Sequence, residues 1–241
     1  MAYRCATTTI EGFVQLLACN YLPHGYWYYV TGWVPAEKDP KQIDEKLIAK
    51  YAIDRSRAAR SRRKQLGQAN LQYLRHGRLF VLIATQGEHA FFAEEAGGIR
   101  DIRRVPLRIA GYAISYRRAG QTEAGQVSAS WHAHVEIERA RYLEWKALLL
   151  DQAVRRSAEE LALEFYRFPF EPYAPVRRQM FALLRAVNRV RKRAGLALLP
   201  AQVLPLRRRV VRPFAPITTD TRPGLEKRSG VEVLAVVVPP E

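Results

Sequence analysis

Three features predict an α+β fold, with a ferredoxin-like antiparallel sheet packed against helices and a basic helical extension after it. Runs rich in aromatic and β-branched residues recur at Tyr26–Val34, Leu79–Ala84, Arg108–Tyr116 and Ser130–Glu138, and they read as strands. Segments with apolar residues at helical spacing lie between and after them. At 241 residues and 48% hydrophobic content, the chain has enough apolar matter for one large packed core. Strand, helix, strands and helix in that order point to an α+β sandwich. The expected organisation is a core domain over 1–155, a basic helical extension over 156–214, and a linker and tail over 215–241.

Along the chain, Thr8-Thr9-Ile10-Glu11 reads as a capping box with Thr8 as the cap. The short helix it opens carries Ile10, Phe13, Val14 and Leu17, and Pro23-His24-Gly25 ends it. The strand over Tyr26–Val34 stops at Pro35, and its tyrosines offer either core packing or platforms for stacked bases. From Asp39 to about Lys64 the pattern predicts one helix, with Pro40 near its start and Ile43, Leu47, Ile48 and Tyr51 on one side. The later strands, Arg108–Tyr116 and Ser130–Glu138, are expected to be antiparallel neighbours joined by a loop over Gly120–Gly125, in one central sheet with Leu79–Ala84. Ser157-Ala158-Glu159-Glu160 is a second capping box, opening a helix with Leu161 and Phe165. Three prolines between Phe168 and Pro175 then forbid continuous helix. Val176–Arg193 is amphipathic, with Val176, Met180, Leu183, Leu184, Val187 and Val190 on its apolar side. A last β-like run is expected over Val231–Val238.

Charge is distributed unevenly. The formal net charge is +16, and between Pro172 and Thr219 there are eleven Arg and Lys residues and not one carboxylate. Arg178, Arg185, Arg189 and Lys192 recur at steps of seven, four and three, which places them on one helix face. With Arg193, Arg207, Arg208 and Arg209 they form a basic stripe, the electrostatic footprint of a polyphosphate partner, DNA or RNA. A second cluster over Arg55–Lys64, including Arg60 and Arg63, would supply another wall of a binding groove. An acidic protein or an anionic lipid surface is the competing partner for such a helix.

Other classes are disfavoured. Apolar runs such as Leu79–Ala84 are far shorter than the roughly 18 residues a membrane helix needs. The N-terminus lacks the apolar core of a secretory signal. Cys5 and Cys19 lack metal-ligand spacing, which fits a reducing, cytoplasmic setting with ordinary thiols. Glycine-rich dinucleotide and phosphate loops and the Gly-x-Ser-x-Gly elbow are missing.

Trp131-His132-Ala133-His134-Val135-Glu136-Ile137-Glu138 alternates without a break. On a strand, His132, His134 and Glu136 share one face, and two imidazoles two residues apart can converge on a divalent cation. His76 and His89 are further candidates for a third ligand, and the neighbouring strand offers Ser115. The His132-Ala133-His134-Val135 segment resembles the His-hydrophobe-His signature of the HUH superfamily of single-strand nickases, rolling-circle initiators and single-tyrosine transposases. The resemblance covers about eight residues. It implies Mg²⁺ or Mn²⁺ on His132 and His134, polarising a scissile phosphate, while Glu136 is a third-ligand candidate from the strand face alone. It also implies a nucleophilic tyrosine on a later helix, for which Tyr142, Tyr166 and Tyr173 are the candidates. Ala133 is small for the central hydrophobe of that signature.

Overall fold

The computed structural model describes residues 3–118, 130–208 and 210–215. It shows an α+β protein with two sheets. The strands are β1 (Ala6–Thr7), β2 (Tyr26–Trp33), β3 (Leu71–His76), β4 (Leu79–Thr85), β5 (Arg100–Asp101), β6 (Leu107–Ile109), β7 (Tyr112–Arg118) and β8 (Trp131–Ile137). The first five form one sheet in the order β1-β3-β4-β2-β5, with β1 parallel to β3 and the remaining pairs antiparallel. The last three form a separate antiparallel sheet in the order β6-β7-β8. Helices are α1 (Ile10–Gln15), α2 (Pro40–Lys50), α3 (Arg57–Gln65), α4 (Ala90–Glu94), α5 (Arg139–Gln152), α6 (Ala158–Tyr166) and α7 (Ala174–Arg193). Among the described residues, no helix is long and apolar enough to cross a membrane.

The central strand β4 explains why Leu79–Ala84 has no polar alternation. Val81 and Ile83 enter one core, while Leu82 and Ala84 enter another on the opposite face. The smaller core lies under α2 and α4 and holds Tyr51, Ile53, Tyr73 and Phe91. Asp44 of α2 is buried there and accepts hydrogen bonds from the Tyr73 hydroxyl (2.6 Å) and from two nitrogens of Arg75 (both 2.7 Å). The larger core is continuous from α1 through both sheets to α7 and Leu204. The basic helical segment therefore packs on the rest of the protein with the apolar face expected of it: Val176, Met180, Leu183, Leu184 and Val187 are buried.

Several sequence expectations are corrected. The three strands expected in one central sheet are divided: Leu79–Thr85 belongs to the larger sheet, Tyr112–Arg118 and Trp131–Ile137 to the smaller. The antiparallel pairing of β7 with β8 is observed, with Ser115 opposite His134 and Arg117 opposite His132. The Gly120–Gly125 loop and the Val231–Val238 run lie outside the described residues. The run Arg108–Tyr116 is itself a hairpin, because Ala110 (φ 47°) and Gly111 (φ 79°) both take the left-handed conformation that a two-residue turn requires. Strand β3 carries no alternating signature, since Leu71, Gln72, Tyr73 and Leu74 are all buried.

The single helix expected over Asp39–Lys64 is two. Tyr51 and Ile53 turn into the smaller core, Ala52 adopts φ 47°, and Ser56 caps a new helix by accepting from the Ala59 amide (3.2 Å). The first cap is also one residue later than expected. Thr9 accepts from Gly12, while the Thr8 amide and hydroxyl donate to the Pro213 carbonyl. The second capping box, Ser157 with Glu160, forms as read.

Candidate nucleic-acid interface

Helix α7 separates its cations into two roles. Arg178, Arg185, Arg189, Lys192 and Arg193 are exposed, and no ion pair among the described residues uses them. Arg191 is 2% exposed and structural. Its guanidinium donates to the carbonyls of Ala197 (2.6 Å), Ala153 (2.8 Å) and Arg156 (2.9 Å), pinning the end of α7 to the turn after α5. Arg207 is exposed, whereas Arg208 is half-buried, 5.0 Å above the Tyr173 ring and 3.5 Å from the Cys19 sulfur. Arg209 lies outside the described residues.

The second cluster lies on α3 and the residues before it. Arg63 donates to the Ala69 carbonyl (2.9 Å), and the Asn70 amide donates to the Arg60 carbonyl (2.9 Å), so α3 is held at the start of β3. Helix α7 packs against β8 of the other sheet. Gln179 makes that contact specific. Its Oε1 accepts from the Ile137 amide (2.8 Å) and its Nε2 donates to the Ile137 carbonyl (3.0 Å), so on the β8 edge, the last strand of its sheet among the described residues, a side chain takes the place of a neighbouring strand.

On β8 the expected alternation holds. Val135 and Ile137 are buried, while His132, His134 and Glu136 share the opposite face. The two imidazole rings are 6.3 Å apart. Glu136 bridges two neighbours, accepting from Arg117 (3.3 Å) on one oxygen and lying 3.2 Å from His134 Nε2 on the other. Arg117 also donates to Ser115 (2.7 Å). Burial holds the His134 pKa below the usual histidine range, with Arg117 and His132 acting the same way against Glu136. A neutral His134 then donates Nε2–H to Glu136.

This donor set fits a divalent cation poorly. Its carboxylate is already shared with a guanidinium, and Ser115 is buried and occupied by Arg117. His76 contacts Thr7 at the end of β3, and His89 caps α4 by accepting from the Phe91 amide (3.1 Å). Among the described residues, no group of three or more His, Cys, Asp or Glu side chains is arranged to hold a metal ion. The tyrosines are dispersed. Tyr142 is half-buried on α5 near Arg185, and burial raises its pKa. Tyr166 is exposed on α6, and Tyr173, at the start of α7, is pushed up to about 12, chiefly by burial.

The apolar face of β8 ends in an aromatic column that alternation alone does not reveal. Trp27 of β2 stacks on Tyr116 of β7 (centroids 6.0 Å apart, planes at 25°), and Tyr116 stacks on Trp131 (5.7 Å, 20°). Arg103 lies 4.3 Å from the Trp27 ring, and Arg118 lies 6.0 Å from that of Trp131. No protein-family model, curated protein or solved structure matches this chain.

Proposed function

We propose that this protein binds nucleic acid, gripping the phosphate backbone with the exposed cationic face of α7 and with Arg207. The observation that carries this reading is the face itself. Arg178, Arg185, Arg189 and Lys192 are all exposed on one side of a helix whose other side is buried, with no carboxylate anywhere on that helix. Repulsion along such a face is relieved when phosphates replace condensed counterions. Six exposed cations, counting Arg193 and Arg207, correspond to a log–log salt slope of about −4 on single strands and about −5 on duplex if each meets one phosphate. Fluorescence anisotropy between 50 and 300 mM salt, about the physiological range, tests this. Joint replacement of Arg178, Arg185, Arg189 and Lys192 by Ala is expected to weaken all sequences alike and to leave the fold intact. Affinity that does not change with salt would overturn the reading.

A second reading is metal-dependent cleavage of single-stranded DNA on a ferredoxin-like core, as in the HUH resemblance. What favours it is the pairing of His132 and His134 on one accessible strand face, 6.3 Å apart. The engagement of Glu136 with Arg117 stands against it. Titration with Mn²⁺ decides the matter: uptake abolished by His132→Ala supports cleavage chemistry, and no heat of binding removes it. Replication or transposition of a mobile element is the setting that reading would imply.

A further inference from the structure

We propose that Trp131 is the stacking platform for an unpaired base, so that the preferred ligand of this protein is single-stranded nucleic acid. The proposal rests on the nucleic-acid reading above and deepens it, because a phosphate-gripping helix alone does not distinguish single strands from duplex.

The geometry is that of a prepared surface. Three rings are stacked with nearly parallel planes, half-buried Trp27 on buried Tyr116 on exposed Trp131, and they come from both sheets. The Trp27 end is fixed. Trp27 donates its indole N–H to the Leu22 carbonyl (3.1 Å), and its ring is covered by Arg103, which is itself held by the Asp101 carboxylate (2.7 to 3.1 Å). Tyr116 is 7% exposed, so the middle ring cannot swing away. The outer ring is different. Trp131 is 43% exposed although it lies on the same strand face as buried Val135 and Ile137. Trp131 ends a rigid column with its orientation already set, so a base that stacks on its exposed part and displaces Arg118 has little else to order.

The charges around it select the same ligand. Arg118 is directly opposite Trp131 in the β7–β8 register, and His132 follows it in the chain. Arg118 is exposed, and its guanidinium lies over the Trp131 ring, 6.0 Å from the centroid, where it can turn to a nucleotide's phosphate when a base stacks. In a duplex the base faces are stacked on one another and closed to a side chain; only an unpaired base offers one.

The test uses the full chain, a fluorescein-labelled thymidine 20-mer and a duplex of equal length at one fixed salt concentration. Trp131→Ala is expected to weaken single-strand binding by about 5- to 150-fold, the span of one lost stack, while duplex affinity and the salt slope stay at wild-type values. Trp131→Phe is expected to retain most of the affinity, and to lose much of the quenching of tryptophan emission that saturating oligonucleotide causes in wild type. An alanine variant that binds the single strand like wild type overturns the proposal and leaves the phosphate grip standing. Equal loss on both ligands also overturns it, because it marks Trp131 as structural. Wild type binding neither ligand overturns both readings together.

Discussion

Arg189 and Arg191 sit two positions apart in a helix without carboxylates, and their chemistry is opposite. Arg189 is exposed with no carboxylate partner among the described residues, while Arg191 is buried and satisfies three backbone carbonyls. Removing the Arg191 side chain would leave those carbonyls without a donor at the junction of α5, α6 and α7. Arg191→Ala is therefore expected to destabilise the protein by about 1 to 3 kcal/mol, the cost of leaving the buried Ala153 carbonyl unpaired, since the Ala197 and Arg156 bonds are only part-buried. Arg189→Ala is expected to stay within about 0.5 kcal/mol of wild type. Urea denaturation of the two variants checks the contrast. His89 provides a second residue-scale expectation. Its Nδ1 accepts from the Phe91 amide to start α4, which requires an unprotonated nitrogen there. Burial, and then Arg63 and Arg55, hold its pKa below the usual value, against Glu94 and a backbone contact with Tyr51. On acidification the unfolded chain takes up this proton first, so stability is lost as pH falls from about 6.5 through the lower folded value. His134, also lowered, acts in the same direction. Thermal midpoints at pH 7.5, 6.5 and 5.5 should decline, and His89→Asn, which can cap without titrating, should flatten that decline.

Between elements, the contact of α7 with β8 is the one that matters for function. Among the described residues β8 ends its sheet, and an open edge of hydrogen-bonding groups invites pairing with another chain. Gln179 answers it with one donor and one acceptor to Ile137, and the same turn of α7 carries Arg178 outward. The cationic face and the aromatic strand are thus set relative to one another by a side-chain amide. Gln179→Ala is expected to cost about 1 to 2 kcal/mol, in line with two lost hydrogen bonds, and to increase self-association, read by light scattering against wild type. A variant as stable and as monodisperse as wild type would show that packing alone locates α7. The break between α2 and α3 teaches a related lesson. Apolar spacing through Tyr51 is helical, yet the tyrosine and Ile53 are both drawn into the smaller core, and the backbone turns at Ala52 to let them in.

For the whole molecule, the formal charge of +16 is partly internal bracing: Arg75, Arg103 and Arg191 serve the fold, and Arg63 ties α3 to β3. Outside, exposed cations line the α7 face, and others lie on α3 (Arg57, Arg62, Lys64) and at Arg118 by Trp131. Salt dependence should therefore track the α7 face, and preference for single strands should track the column. The two variant sets should act independently, with free-energy changes that add when the quadruple α7 variant and Trp131→Ala are combined.

The amino-acid sequence by itself determined the α+β class, the apolar stripe of α7, the cationic face opposite to it, the Ser157 cap and the shared face of His132, His134 and Glu136. Each of these follows from local periodicity or a local hydrogen bond, and neighbours along the chain suffice to specify it. Only the tertiary structure decided which strands share a sheet, which arginine of the stripe is buried, and that Glu136 is engaged by Arg117. It also decided that Trp27, Tyr116 and Trp131, separated by up to about a hundred positions, stack in one column. Those outcomes depend on packing between distant segments. Burial of an arginine and stacking of an indole are properties of what lies across the interface, and no spacing within one element encodes them.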